Sequence, residues 1–242
     1  MPRRRAVLTP NNIWRVAPFE ETQTALAAAQ GLAHSRRPLS LITGPAGCGK
    51  SFSAEYYANG HPRVHVAVCP PHDVLTPKVL MLAVAESLGI VGAGFVRNSD
   101  LFAALVSRLA ADPCLLIIDE ADRLYASNAD LLRELTELSE TRVCFLGYPS
   151  LRSILARVPA THHRIGFSHA IPPVALEDYR QVLFGRFEDV LIMEIYEQTA
   201  GNLRHLEALL ALLDVASSRG TRTLTPKVIR TLALRHLLQE AA

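Results

Sequence analysis

The chain has 242 residues, 49% of them apolar and 20% charged, and its 25 Lys and Arg against 23 Asp and Glu leave a net charge of +2. That suits one core of about 170 residues with a small appended domain, and it is too little charge for an overall basic DNA-binding protein. No apolar run reaches the roughly 18 residues of a spanning helix, no signal-type apolar block follows Met1-Pro2-Arg3-Arg4-Arg5, and Cys48, Cys69, Cys114 and Cys144 form no C-x-x-C pair; a cytoplasmic protein with reduced thiols is expected.

In chain order, residues 1–18 read as an arm that carries the single tryptophan, Trp14. Pro18 to Arg37 is alanine-rich and helical in pattern. Leu39-Ser40-Leu41-Ile42-Thr43 reads as a buried strand. It feeds Gly44-Pro45-Ala46-Gly47-Cys48-Gly49-Lys50-Ser51, a full G-x-x-x-x-G-K-[ST] phosphate loop. Small residues at this spacing let successive backbone N–H groups close around phosphates, Lys50 reaches the β and γ oxygens, and Ser51 offers a hydroxyl to Mg²⁺. Only three lysines occur, Lys50, Lys78 and Lys227, so the match does not come from lysine-rich composition. The helix expected over Ser51 to Ala58 points its N-terminus at the phosphates.

Arg63 to Val68 alternates as a second strand. Helices are expected over Thr76 to Leu88 and Asp100 to Ala111, with a loop from Gly89 to Asn98 between them. Cys114 to Ile118 is a continuous apolar run, as in a strand buried on both faces, and it delivers Asp119-Glu120 to its C-terminal end. Asp119 is the candidate ligand to Mg²⁺. Glu120 is the candidate base that orients and deprotonates an attacking water. A helix at Ala129 to Ser139, a strand at Arg142 to Leu146, a helix over Ser150 to Val158 and a fifth strand at Ile165 to Ile171 follow. Pro172-Pro173 marks a boundary, which divides a core of residues 19–172 from a tail of 173–242. In the tail, helices are expected over Leu176 to Phe187, Val190 to Thr199, Asn202 to Ser218 and Thr225 to Glu240, stopped by Gly201 and Gly220. Alternating strands and helices followed by a helical tail imply a parallel five-stranded α/β sheet with an α-helical lid. His61, His65 and His72 have no carboxylate or thiolate in matching register and are read as ordinary side chains.

By Gly44 to Ser51, Asp119-Glu120 and Gly201-Asn202-Leu203-Arg204, the chain resembles the AAA+ ATPases over nearly its whole length. The resemblance implies ATP as substrate with Mg²⁺, and a lid arginine, here Arg204, that contacts the γ-phosphate. It further implies an arginine finger placed before the fifth strand; Arg164 is the match and Arg157 the fallback. The superfamily usually sets Asn or Thr at the end of the fourth strand, where this chain has Tyr148. Asp119 to Leu124, the turn Gly147-Tyr148-Pro149-Ser150-Leu151-Arg152 and the lid start look like the target-selection ATPases of transposition: the B protein of Mu-like phages and its relatives TniB and TnsC. That likeness implies self-association on double-stranded DNA into helical filaments, delivery of the DNA to a transposase, and disassembly on hydrolysis. In related filaments DNA contact comes from between the second and third strands, where this chain has Lys78, Arg97 and Asn98, with Arg3, Arg4 and Arg5 as a further arm.

Other readings share parts of this pattern. A small-molecule kinase also uses a phosphate loop, although Asp119-Glu120 suits water as acceptor. A GTPase lacks its guanine-reading Asn-Lys-x-Asp here. An AAA+ scaffold in secretion, or a replication-initiator or helicase-loader factor, has the same site without a filament. The Thr225 to Glu240 helix, with Lys227, Arg230 and Arg235, reads as an amphipathic lid helix rather than a DNA-reading one.

Overall fold

The computed structural model describes residues 16–32, 35–90, 97–218 and 224–240. Five strands form one all-parallel sheet: β1 (Leu39–Thr43), β2 (Val64–Val68), β3 (Leu115–Asp119), β4 (Arg142–Gly147) and β5 (Ile165–Ala170), in the order β2-β3-β4-β1-β5. The two strands expected to be buried, β1 and β3, are buried at every position. The alternating sequence of β5 lies at an edge, half-buried at every second residue and exposed at the others. Register aligns Thr43 with Gly147 and Val68 with Asp119, so the chain leaves β1, β3 and β4 at one rim, where open α/β sheets bind ligands.

Helices cover the sheet: α1 (Ala17–Gln30), α2 (Lys50–Gly60), α3 (Pro77–Ser87), α4 (Asn98–Ala111), α5 (Ala126–Ser139), α6 (Leu151–Ala156) and α7 (Pro159–His163). Leu80, Met81, Leu101, Leu105, Leu132 and Leu135 pack onto Leu116, Ile118 and Phe145. Starts follow local chemistry. Thr76 Oγ1 accepts the Val79 N–H at 3.2 Å, and Pro77 opens α3.

Several expected bounds move. The first helix stops at Gln30 rather than Arg37, and Ser35 Oγ then accepts the Arg37 N–H at 3.0 Å. The helix expected over Ser150 to Val158 covers Leu151–Ala156, and a further short helix, not expected, opens at Pro159 after Val158 takes φ −119°, ψ 88°, away from the helical region that a following proline disfavours. The Gly89 to Asn98 loop is shorter, since Asn98 is already helical; residues 91–96 lie outside the described residues.

Contacts divide the chain into two compact units, residues 21–45 with 50–171, and the described residues up to Glu20 with Ala46–Gly49 and those from Pro172 onward. The second unit holds α8 (Leu176–Val182), α9 (Asp189–Thr199), α10 (Leu203–Ser218) and α11 (Pro226–Glu240). Here α8 ends five residues before the expected Phe187, ahead of Gly185 at φ 74°. Inside this unit the buried Tyr179 hydroxyl pairs with Thr199 Oγ1 at 2.8 Å, and Asp178 accepts the N–H of Ala175 (2.7 Å) and of Ala17 (2.8 Å). The α9–α10 turn takes Ala200 and Gly201 through left-handed backbone; a Cβ on Gly201 would meet Val174 O at 2.7 Å. No helix among the described residues is long and apolar enough to cross a membrane.

Candidate active site

The loop after β1 is tied to the neighbouring strand by its first residue, since Gly44 N–H donates to Gly147 O at 3.1 Å. Lys50 opens α2 and is only 8% exposed. Its ammonium donates to the carbonyls of Gly44 (2.9 Å) and Pro45 (2.7 Å), and the Tyr148 ring centroid lies 5.0 Å away. Ser51 follows in the first turn, exposed. A buried ammonium at a helix start, next to a glycine-bearing loop, suits an anion. Gly47 and Gly49 have φ of 67° and 93°, which a side chain would strain.

The loop tip groups with the helical unit. Gly47 O accepts the Leu203 N–H at 2.9 Å, and a Cβ on Gly47 would lie 1.9 Å from Asn202 Oδ1. That Oδ1 caps α10 through the Arg204 N–H at 3.0 Å. Cys48 is buried within the loop.

At the end of β3, Asp119 is 6% exposed. Its Oδ1 accepts the Glu120 N–H at 2.8 Å, and its carbonyl accepts the Cys69 N–H at 2.8 Å. Its second oxygen has no protein donor among the described residues. A buried carboxylate oxygen without a donor, together with the Ser51 hydroxyl, fits a hard, oxygen-seeking cation such as Mg²⁺. Glu120 has left-handed backbone, φ 54° and ψ 33°, strain of a kind that gathers at functional sites. Its carboxylate lies 3.5 Å from the Arg123 guanidinium, which also donates to Cys69 O at 3.1 Å. Asp122 Oδ1 accepts the Tyr148 N–H at 3.0 Å, a contact that Gly147 permits because a Cβ there would lie 2.6 Å from the same oxygen.

Arg164 is held by Glu137, with Nε at 2.9 Å and a terminal nitrogen at 2.8 Å. Glu137 also binds Arg133, and these two guanidinium bonds, Arg133's first, hold its carboxyl below the usual carboxylate range. Arg157 is exposed at the end of α6. Arg204 is exposed in the first turn of α10. Lys78 is half-buried near the start of α3, whereas Arg97 and Asn98 are exposed where α4 begins. Arg3, Arg4 and Arg5 lie outside the described residues. His61 bonds Tyr57 O, His65 bonds Ser87 O, and His72 rests on the Tyr125 ring. Burial pushes the Cys69 and Cys144 thiols up to about 12 and Cys114 to about 11.

Sequence reasoning missed the face of Tyr148 against Lys50, the Asp122 bond to Tyr148, and Asn202 against Gly47. Each joins residues from different elements, and no local pattern announces them.

A parallel sheet ordered β2-β3-β4-β1-β5, with a phosphate loop after β1 and an acidic pair after β3, is the AAA+ P-loop architecture. The AAA domain family matches residues 33–155, just over half of the chain, and the chain belongs to that family. A potential ATP-binding protein of Staphylococcus aureus is 26% identical over 131 residues, 48% of this chain and 48% of that protein, so the chain spans about half the length of this relative. Among solved structures, the Aeropyrum pernix ORC1 protein in complex with DNA has a TM-score of 0.67 at 22% identity, covering 96% of this chain and 69% of that one. Domain III of the Thermotoga maritima replication initiation protein DnaA has a TM-score of 0.58 at 16% identity, covering 93% and 96%. Both likenesses are of fold.

Proposed function

We propose that this chain is a magnesium-dependent ATP hydrolase that self-associates on duplex DNA and delivers it to a transposase, with hydrolysis driving disassembly. The observation that carries the hydrolase is the pairing of a buried Lys50 at a helix start with Asp119-Glu120 at the end of a strand in the same sheet. Residues 19–172 form the nucleotide-binding core and 173–242 the lid. The ammonium of Lys50 exchanges the carbonyls of Gly44 and Pro45 for β and γ oxygens of ATP, and the loop Gly44 to Ser51 wraps the remainder with the N–H groups that follow Pro45. Ser51 and Asp119 hold Mg²⁺, which neutralises charge on the phosphates when bound. Glu120 accepts a proton as the water oxygen bonds to the γ-phosphorus and the bond to the departing ADP oxygen breaks.

Arg204 supplies positive charge to the γ-phosphate. Arg164 or Arg157 serves a neighbouring copy as a finger; Arg164 must first leave Glu137, whereas Arg157 is exposed. Lys78, Arg97 and Asn98 contact DNA phosphates, and neighbours in a filament add such contacts along one duplex. The turn Gly147 to Arg152 and the lid start support the transposition branch.

A second reading, a replication-initiator or helicase-loader factor, is favoured by the fold likeness to the ORC1 protein solved with DNA. ATP hydrolysis with and without duplex DNA at low salt, paired with negative-stain microscopy of the ATP-bound protein, separates the two. Stimulation with filaments along the duplex supports the transposition reading. Hydrolysis indifferent to DNA, with rings or monomers, moves the assignment to the second.

A further inference from the structure

Between the outer strand β5 and helices α6 and α7 lies a cavity of about 270 Å³ into which Arg37, Arg152, His162 and His163 converge beside Ser168, over a floor that includes Leu155. No carboxylate lines it. Among the described residues neither Arg37 nor Arg152 has an ion-pair partner, whereas Arg63 and Arg108 share Asp112 and Arg230 takes Glu194. The adjoining cavity shows the contrast: there Arg36 and Arg164 face Glu137 and Glu140. The cationic cavity is built by a close approach of backbones. Gly166 lies so near the chain before β1 that a Cβ would meet Arg37 O at 2.5 Å, which fixes Arg37 beside the strand carrying Ser168. Two guanidinium groups without an internal acceptor, beside two imidazoles, make this cavity a favourable place for an anion.

We propose that this cavity binds a phosphate group, independently of the loop at Lys50. Planar guanidinium forks match phosphate oxygens in pairs, the imidazoles and the Ser168 hydroxyl add donors, and the volume lies just below the range of whole-ligand pockets. It takes one phosphate or a short polyphosphate. The phosphate comes from a nucleic-acid backbone or from a free polyphosphate, and two probes distinguish these sources.

The test uses the full chain carrying Lys50→Ala, which removes the phosphate-loop lysine and so separates this proposal from the ATP hydrolase reading. Labelled random-sequence duplex DNA is titrated by fluorescence anisotropy at 50 and 200 mM salt, and inorganic tripolyphosphate by calorimetry, with and without Arg37→Ala/Arg152→Ala. The expected result is a loss of about tenfold in affinity for at least one probe, with the salt slope for DNA falling by about one per phosphate contact removed. Weakened DNA binding alone assigns the backbone as ligand, and weakened tripolyphosphate binding assigns a free polyphosphate. A control pair, Arg63→Ala/Arg108→Ala, removes the same charge away from the cavity and is expected to stay within twofold. Both positions of the test pair are exposed, and circular dichroism with His162→Gln/His163→Gln as a second variant guards against misfolding. Binding of neither probe, no change in the arginine variant, or an equal loss in the control overturns the proposal.

Discussion

The Lys50 ammonium lies 5.0 Å from the centroid of the Tyr148 ring while it donates to the carbonyls of Gly44 and Pro45. The residue that follows β4 therefore meets the phosphate-loop lysine through its aromatic face. A contact of this kind contributes about 0.5–1 kcal/mol when partly exposed. It belongs to the state in which the ammonium is bound to the loop, so losing it eases transfer of the lysine to phosphate. Tyr148→Phe keeps the ring and is expected to bind a fluorescent ATP analogue within twofold of the parent. Tyr148→Leu is expected to bind about threefold more tightly, the equivalent of ~0.7 kcal/mol. If both variants lose turnover equally with unchanged affinity, the hydroxyl and not the ring is the working group.

Glu120 combines a proposed base with left-handed backbone, φ 54°. Glu120→Gln keeps shape and hydrogen bonding while removing the basic oxygen, so it is expected to retain ATP and accumulate the ATP-bound assembly. Lys50→Ala is expected to lose ATP binding outright. Glu120→Gly offers a further check: relief of about 1 kcal/mol of left-handed strain offsets glycine's entropy of about the same size. Its melting temperature should hold near the parent's while hydrolysis disappears. A β-branched residue is strained there, and Glu120→Val should melt lower by several degrees. Filter-bound ATP and thermal melts measure all four; normal hydrolysis by Glu120→Gln would refute the assignment of the base.

The five strands, the phosphate loop and the acidic pair were legible in the sequence because each is local. An apolar run such as Leu115 to Ile118 announces a strand buried on both faces, and eight consecutive residues encode the loop. The short helix at Pro159–His163 was legible in principle from its proline, which suits a first helical position, yet no element was expected there. What stayed hidden depends on pairs far apart in the chain. Nothing near Tyr148 indicates that its ring meets Lys50. The cationic cavity at β5 draws on positions 37, 152, 162 and 163, which only the sheet order brings together. Arg164 met Glu137 across helix and strand, a partner no spacing rule supplies.

Gly47 and Asn202 form a steric pair within the helical unit: Cβ at position 47 would stand 1.9 Å from Asn202 Oδ1, and φ there is +67°. Gly47→Ala should therefore lose about 1–2 kcal/mol from backbone strain, with a further clash term, and lose ATP binding as the loop shifts. Asn202→Ala alone removes the cap on α10, costing about 1 kcal/mol. In the double variant the clash is gone and the strain remains, so the two losses should sum to more than the double variant shows. Strict additivity in chemical denaturation would mean that the two residues do not touch.

Glu194 is 5% exposed and accepts two bonds from Arg230, both at 2.7 Å, so that α9 is clasped to α11. The Arg230 hydrogen bonds hold its carboxyl below the ordinary glutamate value of 4.5. A depressed carboxylate stabilises the fold fully above the unfolded-state value, and that stability is lost as pH falls through the folded-state one. Because the guanidinium side chain is 60% exposed, solvent screens the pair and reduces its contribution at neutral pH. Glu194→Gln should thus melt several degrees lower than the parent at pH 7, with the gap closing as pH is taken below the carboxylate range. A gap that stays constant from pH 7 to pH 3 would show that packing of the glutamate stem, and not its charge, holds the two helices together.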